Sequence, residues 1–228
     1  MAIIRCAMFD LGNVIIHFDT GRFYNFVSQH SGNCLKPWEL FSGLGSGIME
    51  DVYLGKVSDL NFFKRVKNLF QLRRVSQEDF FHIWADVISV DYRMLAVIDG
   101  LRQKGILTVL ITNIGHYHIE YIRKNCPELL SKFDITLISC EEGIVKPDSE
   151  AWIRSLEALG LKAEECIFID DHYPNIEASC GLGIKGWHYD VVDGQFCSNN
   201  RLEKERKKLK DFLVLLDNLG LLYDKTRS

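Results

Sequence analysis

The chain has 228 residues and a mass of 26.3 kDa, and 47% of its residues are hydrophobic and 25% charged. These proportions are those of a folded globular protein and exclude a disordered, collagen-like or low-complexity chain. The formal net charge of −4 excludes a global basic field, so we expect neither nucleic acid nor a membrane surface as a partner.

The seven cysteines are scattered singly along the chain, and no two of them have CxxC spacing. This pattern argues against a cysteine-rich zinc site and against a disulfide scaffold, and it predicts reduced thiols. The apolar run at the N-terminus contains Arg5 and ends at Asp10, so it is too short and too interrupted for a secretory signal. No window reaches the ~18 apolar residues that a membrane span needs. We therefore expect a cytoplasmic protein.

Short apolar runs that end in polar or small residues are typical of strands buried on both faces of a parallel sheet. Two segments between the later runs, residues 92–104 and 148–159, carry apolar residues at helical spacing. The alternation predicts an α/β fold with a doubly wound, Rossmann-like parallel sheet. The predicted strands lie at residues 3–9, 106–111, 135–138, 166–169 and, with a weaker pattern, 184–187.

The segment from residue 19 to residue 89 interrupts this alternation, because it has helix signals and no convincing strand. Ser58 and Ser76 stand where N-cap residues would begin two helices rich in phenylalanine. We interpret the segment as a small α-helical domain, with its aromatic residues in its own core, inserted into the α/β core.

The C-terminal segment is dense in charge, but acidic and basic residues alternate at helical spacing, which is typical of a solvated helix face. The expected organisation is therefore a core at residues 1–18 and 90–190, a helical insert at residues 19–89 and a helical tail at residues 191–228.

Polar side chains follow the predicted strands at the carboxyl edge of the sheet, which is where open α/β sheets bind ligands. One more, a lysine, lies in a loop because the proline after it disfavours helical geometry. A carboxylate or carboxylate pair, a hydroxyl, an amide and a lysine converging on one edge favour a ligand site. These residues are Asp10, Thr112, Asn113, Lys146, Asp170 and Asp171.

In order and context these residues resemble the four motifs of the haloacid dehalogenase-like (HAD) hydrolase superfamily, over residues 3 to about 188. The stretches at residues 10–14, 53–58 and 170–178 are most similar to the subgroup with a small helical cap that includes bacterial glucose-1-phosphate phosphatase. The resemblance implies that the insert at residues 19–89 is this cap.

The resemblance implies a Mg²⁺-dependent phosphatase for a small phosphomonoester, with Asp10 as the nucleophile that forms an aspartyl-phosphate. Lys146 would place a positive charge against Asp10 and the phosphoryl group, and Thr112 and Asn113 would donate hydrogen bonds to phosphate oxygens. The carboxylates of Asp10, Asp170 and Asp171, with the backbone carbonyl of Gly12, would bind Mg²⁺ through the hard oxygen ligands that it prefers.

Gly12 departs from the family pattern, because most family phosphatases carry a second aspartate two positions after the nucleophile. That residue acts as general acid and base, and losing such a group typically lowers the rate by about 10²–10⁴. Gly12 therefore predicts a preference for leaving groups that need little protonation, such as aryl or anomeric sugar phosphates. Four histidines are candidate substitutes, each more readily explained by packing or surface exposure: His17, His116, His118 and His172.

The segment at residues 46–53 is expected to face the site, with Met49, Glu50 and Tyr53 selecting the substrate. Two other functions stay open. One is another reaction of the scaffold, dehalogenation, against which the pair Asp170–Asp171 speaks. The other is a catalytically impaired binding or regulatory protein, which Gly12 alone favours. The expected partner is a small phosphate substrate, and the chain is expected to be a monomer or homodimer.

Overall fold

A computed structural model describes residues 3–32, 44, 47–190 and 201–222. Its centre is a parallel sheet of five strands in the order β5–β4–β1–β6–β7. The predicted α/β fold with a parallel, Rossmann-like sheet is confirmed. The sheet strands are β1 (Cys6–Phe9), β4 (Leu107–Thr112), β5 (Ile135–Ile138), β6 (Cys166–Asp170) and β7 (Lys185–His188).

Side chains of the central strands alternate between two apolar layers, as the period of an extended chain requires. Ala7 and Phe9 of β1 point into one layer, whereas Cys6 and Met8 point into the other. Every residue of β1 and β6 is buried, so both strands read as continuous apolar runs.

Helices cover both faces of this sheet. The layer at Phe9 contains α5 (Tyr92–Gln103), α6 (His116–Asn125), α7 (Pro127–Leu130) and α11 (Arg201–Asn218). The opposite layer contains α9 (Glu150–Leu159) and α10 (Tyr173–Gly181), with Trp152 of α9 packed edge-on against Phe168. The short helix α8 (Ser139–Glu142) follows β5 at the carboxyl edge.

A small antiparallel ribbon stands outside the main sheet and was missed by the sequence analysis. It consists of β2 (Ile16–Phe18) and β3 (Ile88–Val90), in the register Ile16↔Val90 and Phe18↔Ile88. The expectation of no strand within the inserted segment is therefore wrong for Ile88 and Ser89. Three residues are too few for an alternating pattern to stand out from a helical one.

Among the described residues, four helices between β2 and β3 form a second hydrophobic cluster, built largely from phenylalanines such as Phe62, Phe63 and Phe80. The predicted N-caps are present, since the Ser58 and Ser76 side chains accept hydrogen bonds from the third residues of their helices. The division into core, cap and tail domains stays a prediction. The helices are α1 (Thr20–His30), α2 (Ile48–Tyr53), α3 (Asp59–Leu69) and α4 (Gln77–Asp86).

The C-terminal helix α11 packs on the core through Phe212 and Leu216, both fully buried. Most of its described charged residues lie at the surface, as expected, but Glu205 is buried against Arg93. Within the described residues no helix combines the length and the apolar character needed to cross a membrane. Cys34 and Cys197 fall outside these residues, and the free thiols are Cys6, Cys126, Cys140, Cys166 and Cys180.

Candidate active site

The register of the sheet brings the two key carboxylates together. Phe9 pairs with Ile169 in parallel strands, so Asp10 lies beside the end of β6, and its backbone N–H donates to the Ile169 carbonyl oxygen at 2.8 Å. Asp170 is the last residue of β6 and is fully buried. Two strands that end side by side therefore point their carboxylates into the same space.

Lys146 contacts both of these carboxylates. Its Nζ lies 2.6 Å from Oδ1 of Asp10 and 2.6 Å from Oδ2 of Asp170, and the lysine is itself only 5% exposed. Lys146 lies in a turn before α9, as Pro147 predicts. The structure thus brings together the predicted nucleophile, the predicted lysine and a predicted metal ligand.

Asn113 holds the lysine in place, a contact that the sequence did not reveal. Its Nδ2 donates to the Lys146 carbonyl oxygen at 2.9 Å, and its Oδ1 accepts from the Lys146 backbone N–H at 2.9 Å. This paired contact fixes the backbone from which Nζ reaches the carboxylates. Phosphate binding by Asn113 stays a prediction. The same holds for Thr112, which is buried at the end of β4.

Two further asparagines orient the acidic residues. Asn13 has a positive φ of 55°, which asparagine tolerates better than most residues, and its Nδ2 donates to Oδ2 of Asp171 at 2.8 Å. Asn175, at the start of α10, donates from Nδ2 to Oδ2 of Asp170 at 3.0 Å. The signals that would have found them are an asparagine in the turn after the nucleophile and one five residues after Asp170.

The electrostatics of the site favour an added cation. Burial raises the pKa of the Asp10 carboxyl to about 7, since Lys146 only partly offsets burial and the repulsion from Asp170 and Asp171. Burial also raises the pKa of Asp171, against the hydrogen bond from Asn13. Although burial opposes the charge of Lys146, Asp10 and Asp170 raise its pKa, so it stays an ammonium group. One ammonium faces three carboxylates.

The donor set fits a hard divalent cation. Asp10, Asp170 and Asp171 each offer a carboxylate oxygen, and these three oxygens lie within 4.8 Å of one another. Several carboxylate oxygens at one edge of the sheet are the hard ligands that suit Mg²⁺. These are the carboxylates that the sequence predicted as metal ligands.

The helix α2 of the insert reaches the site. Tyr53 is close enough that burial and the charge of Asp10 together raise its pKa to about 12. Val52 packs so tightly on Gly115 that a Cβ there would collide with its side chain, and a Cβ on Gly55 would collide with the Cys140 carbonyl oxygen. Met49 instead packs in the helical cluster and Glu50 is exposed, while residues 45 and 46 lie outside the described residues.

The four candidate histidines have other surroundings. His118 is buried, and burial lowers its pKa to about 4, so it is neutral at pH 7. His17 lies 3.5 Å from Asp91, next to α11. His172 is exposed to solvent. His116 is half-buried, where the start of α6 meets Gly55.

The sheet, the strand-end carboxylates and the buried lysine agree with what a family comparison finds. The family described as haloacid dehalogenase-like hydrolase matches residues 4–179, well over half of the chain. The chain belongs to this family of hydrolases.

Individual relatives include phosphatases. Sesquiterpene phosphatase astK of Aspergillus oryzae is 32% identical over 98 residues, which are 43% of this chain and 50% of that protein. Mouse acyl-CoA dehydrogenase family member 10 is 35% identical over 91 residues, 40% of this chain but 8% of that protein. The chain thus spans half or less of these two relatives.

A solved structure shares the fold. It is a HAD-family enzyme from Bacteroides thetaiotaomicron in complex with magnesium and inorganic phosphate, with a TM-score of 0.68 and 22% identity. The match covers 81% of this chain and 93% of that chain.

Proposed function

We propose that this protein is a Mg²⁺-dependent phosphatase that hydrolyses a small phosphomonoester through a covalent intermediate on Asp10. The observation that carries the proposal is the buried Lys146 ammonium 2.6 Å from both Asp10 and Asp170, at the carboxyl edge of the sheet. An aspartate held against a cation in a water-poor site can attack a phosphate dianion that it would otherwise repel.

The chain's own residues perform two displacements. A carboxylate oxygen of Asp10 bonds to phosphorus while the bond from phosphorus to the leaving oxygen breaks, and that oxygen departs with the electron pair. Water then attacks the same phosphorus, the bond to Asp10 breaks, and phosphate leaves. Lys146 holds Oδ1 of Asp10 throughout and so fixes the direction of attack.

Mg²⁺ would be held by the carboxylates of Asp10, Asp170 and Asp171 with the Gly12 backbone carbonyl, and when bound it would offset the charge of the phosphate dianion. Asn13 and Asn175 keep Asp171 and Asp170 oriented toward this position. Thr112 and Asn113 would donate to the remaining phosphate oxygens.

The helices between β2 and β3 act, in this proposal, as a cap domain at residues 19–89 that covers the site and selects substrate. Tyr53 is the favoured contact, since it lies near Asp10. Substituting Met49, Glu50 or Tyr53 by alanine should change the ranking of phosphate substrates more than the rate with an aryl phosphate. An unchanged ranking in all three variants would refute the cap assignment.

The test is release of p-nitrophenol from p-nitrophenyl phosphate with Mg²⁺, with a chelator, and with Asp10→Asn. Activity that needs both the metal and Asp10 is the expected result. Asp99→Asn is the matched control, because Asp99 is a surface carboxylate paired with Lys132. Activity that survives the chelator would point to a metal-free reaction such as dehalogenation. Inactivity on a broad panel of phosphates would favour a binding or regulatory protein, as Gly12 suggests.

A further inference from the structure

The space beside Gly12 is partly filled by a neighbouring aromatic ring. A Cβ at this position would lie 3.2 Å from Cε2 of Phe18, 3.9 Å from its Cδ2, and 3.7 Å from Oδ2 of Asp10. Gly12 is not among the residues with a positive φ, so its backbone does not itself require glycine. A side chain at this position would instead press on the ring of Phe18, which would have to move by a few tenths of an ångström.

The ring of Phe18 packs against two further aromatic side chains. Its centroid lies 5.7 Å from that of the His118 imidazole, with the two rings tilted by 53°, and the imidazole in turn stacks on the indole of Trp84 at 4.9 Å and 18°. Nε2–H of His118 donates to the Trp84 carbonyl oxygen at 2.7 Å, which fixes the imidazole. Phe18 also packs against both the core cluster and the helical cluster.

The rings of Phe18, His118 and Trp84 cannot supply a proton to the leaving group. His118 is buried and neutral at pH 7, with its Nε2–H engaged, and the two other rings carry no group that titrates. The free oxygen of Asp10, Oδ2, is the one that faces Gly12, because Lys146 holds Oδ1. Among the described residues, the group nearest to a side chain at position 12 is therefore the ring of Phe18, which has no proton to donate.

We propose that Phe18 is a specificity-determining residue that restricts this site to phosphates of acidic leaving groups, such as aryl, acyl and anomeric phosphates. The inference rests on the proposed phosphatase function and deepens it. The leaving oxygen departs as an anion with the bonding electron pair and takes its proton from solvent later. An alkoxide of high basicity needs that proton during the step, and the ring of Phe18 occupies the place from which it would come.

The kinetic test compares wild type, Gly12→Asp, Phe18→Ala and the double variant on aryl and alkyl phosphates with Mg²⁺. We expect a steep dependence of kcat/KM on the leaving-group pKa in the wild type. Gly12→Asp alone should lose activity, because Phe18 blocks its side chain. In the double variant the ratio of alkyl to aryl kcat/KM should rise at least about tenfold, which is less than the roughly 10²–10⁴ that a well-positioned acid contributes. Phe26→Ala, a half-buried ring elsewhere in the insert, should leave this ratio unchanged.

A second measurement tests the close contact without any assay of activity. Gly12→Ala should lower the midpoint of thermal unfolding in the wild type and leave it unchanged in the Phe18→Ala background, where the methyl group has room. Phe18→Leu replaces Phe18→Ala if the latter does not fold. Additive shifts, or an unchanged alkyl-to-aryl ratio in an active double variant, would overturn the inference alone. A wild type that hydrolyses no phosphate, with coupled thermal shifts, would instead refute the proposed function and the specificity with it.

Discussion

Asp10 is held at the edge of the sheet in a site whose charges conflict. Burial and the neighbouring carboxylates Asp170 and Asp171 raise its pKa to about 7, so folding favours its protonated form. A carboxyl whose folded pKa lies above its unfolded value stabilises the fold below about pH 4 and loses that contribution as the pH rises through 7. Ionised Asp10 therefore lowers the free energy of unfolding of the metal-free protein at alkaline pH.

Asp10→Asn should for this reason stabilise the metal-free protein, and more so at pH 8 than at pH 5. With roughly 1.4 kcal/mol per pKa unit, the gain at pH 8 has an upper bound of about 4 kcal/mol. Urea unfolding in chelator at the two pH values measures it, with Asp99→Asn as the control that should show no such trend. The prediction fails if Asp10→Asn is no more stable than wild type at pH 8.

Asn113 acts on the site through the backbone of Lys146, so its removal should disturb catalysis without removing a charge. We expect Asn113→Ala to lower kcat for p-nitrophenyl phosphate at least about tenfold, because a small displacement of a positioned group can reduce the rate by up to about 10². Asn125→Ala is the matched control, since Asn125 is an exposed residue whose amide donates to the Tyr121 carbonyl oxygen of its own helix. Equal activity of the two variants would contradict the positioning role.

Residues at strand ends were predictable and residues that orient them were not. Asp10, Lys146 and Asp170 follow buried apolar runs or precede a proline, and parallel strands bring such positions to one edge. Asn13 and Asn175 act through side-chain contacts that depend on a left-handed turn and on the placement of α10. No local pattern encodes these contacts, because their partners lie at the ends of other elements.

Among the elements, long ones were predicted well and short ones poorly. Helices α5 and α9 match their predicted segments to within two residues, because each shows several helical turns of apolar spacing. The ribbon β2–β3 has three residues per strand, and its paired residues Phe18 and Ile88 lie 70 positions apart in the sequence. Its pairing depends on the insert folding back on itself, which no single segment reveals.

The N-caps of the insert should contribute unequally to its stability. Ser76 forms a full capping box with Asp79, including a 3.0 Å hydrogen bond from the Asp79 backbone N–H, whereas the corresponding bond from Asn61 to Ser58 is 3.4 Å long. We expect Ser76→Ala to lower the free energy of unfolding by about 1 kcal/mol and Ser58→Ala by less. Chemical denaturation of the two variants gives the comparison, and an equal or larger loss for Ser58→Ala would contradict it.

At the scale of the whole molecule, the ribbon β2–β3 lies between the C-terminal helix α11 and the turn at Gly12. His17 and Phe18 are neighbours on β2, so their side chains point to opposite faces. His17 lies 3.5 Å from Asp91 and 3.6 Å from Glu205 of α11, whereas Phe18 lies over Gly12. The C-terminal helix therefore packs against the same short strand whose Phe18 lies over Gly12, beside Asp10.

The ion pairs under the C-terminal helix should hold this arrangement in a pH-dependent way. Arg93 Nη2 lies 2.6 Å from Asp91 and 3.1 Å from Glu205, and both carboxylates are buried. Although burial opposes it, the nearby His17 ring and the hydrogen bonds from Arg93 hold the pKa of Asp91 well below its usual range. A lowered pKa contributes stability above the unfolded pKa, near 4, and that contribution is lost as the pH falls.

Arg93→Ala should remove a cation that contacts two buried carboxylates and so lower the free energy of unfolding by about 2–3 kcal/mol at pH 7. This value lies below the 3–5 kcal/mol typical of a broken buried pair, because the Arg93 side chain is 41% exposed. The difference from wild type should be smaller at pH 3 than at pH 7, because below about pH 4 the unfolded chain takes up a proton at Asp91 while the folded wild type keeps this carboxyl ionised. Guanidinium unfolding at pH 7, 5 and 3 measures it, with Arg154→Ala as control because its partners Glu142 and Glu150 are surface residues. A difference that stays constant over this range would show that packing, rather than charge, fixes the helix.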